Sequence, residues 1–193
     1  MASSKVAIAN LALQKLGAAR ISSLSQNHPN ASSMSAAYDA VRQSELRKYE
    51  WNFATRRDSL AADASQTVWG SHNRFTLPGD YLYLIRDDES GQAVDWTIES
   101  DSTSRFIVTD DAAPLLIKYI ADIDDPSYYD SQFIMAMACA LALQCCEEIT
   151  QSTSKKQGIQ KDYDDAISLA TQQGAIEKPA TEFPTDEWLN ARL

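Results

Sequence analysis

Asp130-Ser-Gln-Phe133-Ile-Met-Ala-Met-Ala-Cys139-Ala-Leu-Ala-Leu143-Gln-Cys145-Cys-Glu-Glu-Ile149-Thr150 is the stretch from which the fold is read. It is dense in Ala, Leu and Met, holds neither Gly nor Pro, and places apolar residues on every side of a helix rather than along one stripe. A helix of that kind has to be covered nearly all round. Its charge-free part, 131–146, is about 16 residues long, short of the roughly 20 that a bilayer span needs, and Gln132 and Gln144 lie inside it. The expectation is a central core helix and no membrane segment.

Upstream, Asp124-Asp125-Pro126 resets the chain to helix, with Asp125 as a cap and Pro126 at the first helical position, or with Asp130 as the cap. Downstream, after Thr150-Gln-Ser-Thr-Ser154, Ile159, Tyr163, Ala166, Ile167 and Ala170 mark an amphipathic helix expected to stop at Gly174. Lys155 and Lys156 sit early in it and its acids later, the unfavourable order for a helix dipole, so neighbouring elements have to compensate.

The amino-terminal part predicts two more helices. Ser3 or Ser4 caps the first, which carries Val6, Ala9, Leu13 and Leu16 on one face and ends at Gly17. Ala18 to Pro29 reads as a loop. A second helix starts near Asn30 with Met34, Ala37, Tyr38 and Val41, then shifts phase to Leu46, Tyr49 and Phe53. It ends in an aromatic and basic knot, Tyr49-Glu-Trp51-Asn-Phe53-Ala-Thr-Arg56-Arg57. There Trp51 with the arginines could anchor a partner, or Trp51 and Phe53 could pin the helix end to the core.

From Leu60 to Ile123 the period becomes twofold. Val94-Asp-Trp96-Thr-Ile98-Glu99 alternates apolar and polar residues, and Tyr81 to Arg86, Arg105 to Thr109 and Leu115 to Ala121 are more apolar. Turn chemistry separates them at Leu77-Pro-Gly-Asp80, Glu89-Ser-Gly-Gln92, Asp101-Ser-Thr103 and Asp110-Asp-Ala-Ala-Pro114. One antiparallel meander of four strands is expected, with a possible fifth at Thr55 to Leu60. The fold class is α+β: a mainly helical bundle from 1–54 and 124–176, two helices from each end, an inserted small antiparallel sheet at 55–123, and an extended tail at 177–193. The tail contains Pro179 and Pro184 together with Phe183, Trp188, Leu189 and Leu193. Four large apolar residues need a receiver, in this subunit or in another chain.

The chain has 193 residues and a formal net charge of -10, with 27 acidic residues against 17 Lys and Arg. Acids spread along its length repel a phosphate backbone, so tight DNA binding is not expected, while DNA could slide past without sticking. The first residues lack the pattern of a secretory signal, which points to maturation in a cytoplasm. Without export, the acceptor pattern Asn30-Ala31-Ser32 has no consequence. Cys139, Cys145 and Cys146 share one helix, where they cannot pair in ordinary disulfide geometry and read as reduced core residues. His28 and His72 lie in separate turns, so neither a metal site nor a cofactor is expected. No phosphate-binding glycine loop, nucleophile elbow or zinc-protease motif is present. Asp122, Asp124 and Asp125 resemble the start of a calcium loop, but Ser127 stands where Gly is required and Phe133 where the bidentate Glu belongs, so turn and cap chemistry explains them better. The chain is read as a non-enzyme. The alternative is a virion-associated cell-wall or polysaccharide hydrolase using a carboxylate pair, although nothing singles out the pair.

Several motifs occur in one order: Leu16-Gly17, Ile21-Ser-Ser-Leu24, Asn30-Ala31, Tyr38, Arg42 and Leu46; then Trp51-Asn-Phe53-Ala-x-x-Arg57-x-x-Leu60; then Leu77-Pro-Gly-Asp80-Tyr-Leu; then Tyr119-Ile, Asp125-Pro126 and the alanine-rich helix with Ile149-Thr-Gln-Ser152. This order, from Leu11 to Ala175, resembles the tail tubular protein A family, the head-to-tail adaptors (connectors) of short-tailed bacteriophages. The resemblance implies a helical bundle with a β insertion, assembled as a homo-oligomeric, commonly dodecameric ring in the virion after synthesis in the host cytoplasm. Such a ring joins the portal protein to the tail nozzle protein and continues the channel for DNA ejection. Phe183, Trp188, Leu189 and Leu193 are then the candidate portal-binding residues. In a ring, the helix at Asp130 to Thr150 would draw part of its cover from the next subunit.

Overall fold

The computed structural model describes residues 4–63, 73–85 and 96–177. It is an α+β fold of four helices and two small antiparallel sheets. α1 (Lys5–Leu16) and α2 (Pro29–Lys48) come first, followed by a short 3-10 turn at Asn52–Ala54. Six strands follow: β1 (Thr55–Leu60), β2 (Asn73–Thr76), β3 (Tyr81–Leu84), β4 (Trp96–Ser100), β5 (Arg105–Thr109) and β6 (Leu115–Ala121). A 3-10 turn at Pro126–Tyr128 leads into α3 (Ser131–Thr150), and α4 (Thr153–Ile176) closes the described chain.

α3 packs against α1, α2 and α4. Ala136 to Ala142 are buried on every side, so two full turns are covered by this one chain. Outside those turns α3 is covered only in part: Met135 is 40% exposed, and Ile134, Leu143 and Ile149 are half-buried. Among the described residues it is the helix long and apolar enough to cross a membrane, yet more than half of that apolar stretch is buried inside the fold. Both alternatives for its start are used. Asp125 accepts from Ser127 N and caps the 3-10 turn, while Asp130 accepts from Gln132 N and caps α3.

α1 begins at the cap Ser4 and ends at Gly17, whose φ of 67° is the left-handed conformation that glycine adopts without cost. α2 starts at Pro29, a residue earlier than expected, because His28 Nδ1 accepts from Asn30 N at 3.1 Å and proline suits the first helical position. Its buried face runs without a break through Ala31, Met34, Tyr38, Arg42, Glu45 and Leu46. The expected phase shift is absent, because two charged residues occupy core-facing positions in the middle of the stripe. α4 continues past Gly174 to Ile176. Its early lysines serve other helices: Lys155 Nζ donates to Leu16 O at 2.6 Å, at the carboxyl end of α1, and Lys156 pairs with Glu147 near the end of α3. Both ends carry partial negative charge, which compensates for the order within α4.

The β region differs most from expectation. Instead of one meander there are two three-stranded sheets, ordered β1-β6-β3 and β2-β5-β4. β6 lies in the middle of the first, with Thr55 opposite Ile120 on one side and Leu84 opposite Tyr119 on the other. β5 lies in the middle of the second, with Phe75 and Ile98 both opposite Ile107. The two central strands are the ones whose apolar residues run nearly continuously, as burial between neighbours requires. Thr55–Leu60 is a full edge strand, and Asn73–Thr76 is a strand that alternation did not mark. In β4 the alternation does not separate a dry face from a wet one: Trp96 is half-buried while Ile98 is exposed.

Candidate interaction site

Phe183, Trp188, Leu189 and Leu193, the residues expected to bind a partner, lie outside the described residues, as does His72. The aromatic knot is described, and it faces inward. Trp51 is 6% exposed, donates from Nε1 to Glu45 O at 2.9 Å, and meets Phe133 edge to face at 4.9 Å. Phe53 and Tyr129 complete the cluster around Phe133, at 5.0 and 5.1 Å. Arg56 pairs with Asp80 at 2.6 Å. Pinning the end of α2 to α3 is therefore the role of Trp51, and its ring offers nothing to a partner.

The acidic cluster is organised by cations. Arg42, 4% exposed, bonds Asp122 and the Ile123 carbonyl, the latter at 3.0 Å. Its Nε faces Asp39 and Asp124 at 3.5 and 3.7 Å without an aligned hydrogen bond. Lys5 reaches Asp124 at 2.5 Å, and this bond holds the Asp124 carboxyl below its usual range. The turn-and-cap explanation holds for Asp125 alone. Asp122 and Asp124 instead clamp the exit of β6 to α1 and α2.

One open feature among the described residues is a groove of about 700 Å³ between α2, α3 and α4. Its floor is formed by small residues of α2, among them Ala36, Ala40 and Ser44, facing Ala140 and Leu143 of α3. At one end Glu45, Lys48 and Tyr163 meet: Lys48 Nζ lies 2.6 Å from Glu45 and 2.7 Å from the Tyr163 hydroxyl, which donates to Glu45 at 2.8 Å. Burial above all pushes the Tyr163 hydroxyl up to about 12, so it remains a hydrogen-bond donor at neutral pH. At the other end, Lys156 and Glu147 pair at 2.7 Å. Because Ser33 of α2 contacts Glu148 of α3, α2 and α3 run antiparallel, and the groove follows α2 from Lys48 back to Ala36.

Cys139 and Cys145 of α3 are buried, and burial raises both thiols, Cys145 to about 11, which leaves them protonated and poorly nucleophilic. Among the described residues no group of three or more His, Cys, Asp or Glu side chains converges to hold a metal ion. The signal for the groove was present in the sequence as Ala36, Ala40 and Ser44, four residues apart on α2, but small residues on a polar helix face do not by themselves announce a cleft. No protein-family model matches the chain, and no curated protein matches it significantly.

Proposed function

We propose that the chain is a structural head-to-tail adaptor of a short-tailed bacteriophage, resembling the tail tubular protein A family. The observation that carries this reading is the ordered set of motifs from Leu16-Gly17 to Ile149-Thr-Gln-Ser152. In this reading the four helices form the bundle of a subunit, the two sheets form its insertion, and copies assemble into a ring, dodecameric in the family. The ring joins portal to nozzle at the head-tail junction of the virion. Its net charge of -10 suits a channel wall past which a duplex slides without adhering. One feature of the groove suits a binding role: its carboxylates, Glu45 and Glu147, are engaged by Lys48 and Lys156.

The experiment is mass measurement of the purified chain alone and with portal protein. A closed ring in the presence of portal is expected, and its failure to form overturns the proposal. Within the same reading, Phe183, Trp188, Leu189 and Leu193 dock the subunit to portal. Deleting residues 184–193 is expected to abolish attachment while leaving helix content unchanged, and attachment at full strength refutes that assignment.

A further inference from the structure

We infer that the groove between α2, α3 and α4 is the seat of this chain's own carboxyl-terminal segment, residues 178–193, in the free subunit. The described chain ends beyond the groove, on the side of its Lys48 end. Asn52 Nδ2 donates to Gly174 O at 3.3 Å and to Glu177 Oε2 at 2.9 Å, which ties the end of α4 to the segment that follows α2. Lys48, at the near end, is only four residues before Asn52, and Tyr163 lies about 21 Å back along α4 from Glu177.

The lengths match. Extended chain brings Phe183 about 20 Å from Glu177, level with Tyr163, and Leu189 about 40 Å. The groove follows α2 for about 18 Å from Lys48 to Ala36, so Trp188 and Leu189 reach its far end. Pro179 and Pro184 deny the segment a continuous helix and favour the extended form that an open groove receives. Ala36, Ala40, Ser44 and Ala140 leave depth where aromatic rings need it, and half-buried Val41, Leu143 and Tyr163 provide apolar walls. The segment repeats an acid before each aromatic, Glu182-Phe183 and Glu187-Trp188, and at the two ends of the groove stand Lys48 and Lys156, paired with Glu45 and Glu147 and with side chains 41% and 42% exposed.

The consequence is that the apolar residues of the segment are covered until something displaces them, which keeps the free chain from associating through them. This inference concerns the purified chain without portal, so its failure leaves the adaptor reading untouched, and the reverse.

Disulfide trapping tests it on the full-length chain. Ala40→Cys combined with Asp186→Cys is oxidised mildly at micromolar concentration; the native thiols are buried and do not compete. An intrachain disulfide in a monomer is expected, its yield unchanged on dilution, and its rate lowered about tenfold by Phe183→Ala with Trp188→Ala, because the seated segment holds a raised effective concentration. No disulfide, a disulfide only between chains, or a rate indifferent to the aromatic replacements overturns the inference. A second measurement needs no substitution in the helices. Amide hydrogen exchange over 36–48 and 156–163 is expected to quicken in the Phe183→Ala, Trp188→Ala chain, and unchanged exchange overturns the inference as well.

Discussion

Arg42 and Arg74 show how single residues hold this fold where hydrophobic contact does not. Arg42 gathers Asp122, the Ile123 carbonyl, Asp39 and Asp124 at the junction of α2 with the exit of β6. Replacing one partner of such a buried set leaves the others uncompensated, so Arg42→Met is expected to cost about 3 kcal/mol, read as a lower urea midpoint at unchanged slope. Arg74 does the same in the second sheet: its guanidinium stacks 3.8 Å from the Phe106 ring and bonds Asp101 at 2.6 Å. Asp101 also accepts from Thr103 N and Ser104 N, and these backbone bonds, with Arg74, hold its carboxyl far below the usual range. The sign follows from the lowered value. The ionised carboxylate contributes stability in full above an unfolded pKa of about 3.9, and loses it as pH falls toward the folded value. The stability difference between the parent and Asp101→Asn is therefore expected to be constant from neutral pH down to about pH 5 and to shrink below pH 4. A difference that is flat down to about pH 2 contradicts it.

At the scale of elements, α1 and α3 illustrate two kinds of dependence. α1 ends on Gly17, where a Cβ would also meet Lys155 Nζ at 3.0 Å, the same ammonium that bonds Leu16 O. Gly17→Ala is expected to destabilise by about 1 to 2 kcal/mol, chiefly from the left-handed backbone, since the lysine tip can shift. Thermal unfolding of the variant measures it. α3 depends on packing. Phe133, fully buried against Trp51, Phe53 and Tyr129, is the joint between α3 and the end of α2. Phe133→Ala is expected to cost about 3 to 5 kcal/mol, with Phe133→Leu recovering most of it. Much of this level was legible in the sequence: Ser4, Gly17, Asp125 and Asp130 act as the residue chemistry says they should. The continuity of α2 was not, because hydropathy counts Arg42 and Glu45 as solvent-facing, whereas partners far along the chain make their burial tolerable. Asn73–Thr76 escaped because Arg74, read as polar, is a buried strand residue.

For the whole molecule, the charge and the groove are the properties that matter. A chain of net charge -10 is expected not to retard duplex DNA in a gel at about 50 mM salt, where electrostatic attraction would be strongest. Retardation under those conditions would contradict the proposed role as a channel wall that lets DNA slide. The groove belongs to this scale as well, because residues from three helices build it, and neither its volume nor its direction can be seen in any one of them.

The sequence by itself determined the four helices, the caps at Ser4, Gly17, Asp125 and Asp130, the change of period after Leu60, and three more apolar strands, two of which lie in the middle of a sheet. Those are local properties, set by backbone preference and by the spacing of apolar side chains. Only the tertiary structure decided that the strands divide into two sheets, that Arg42 and Glu45 face inward, that Lys155 caps a helix more than a hundred residues before it, and that α3 packs against α1, α2 and α4. Each of these rests on pairings between residues distant in sequence, and such pairings leave no periodic trace in the segments that make them.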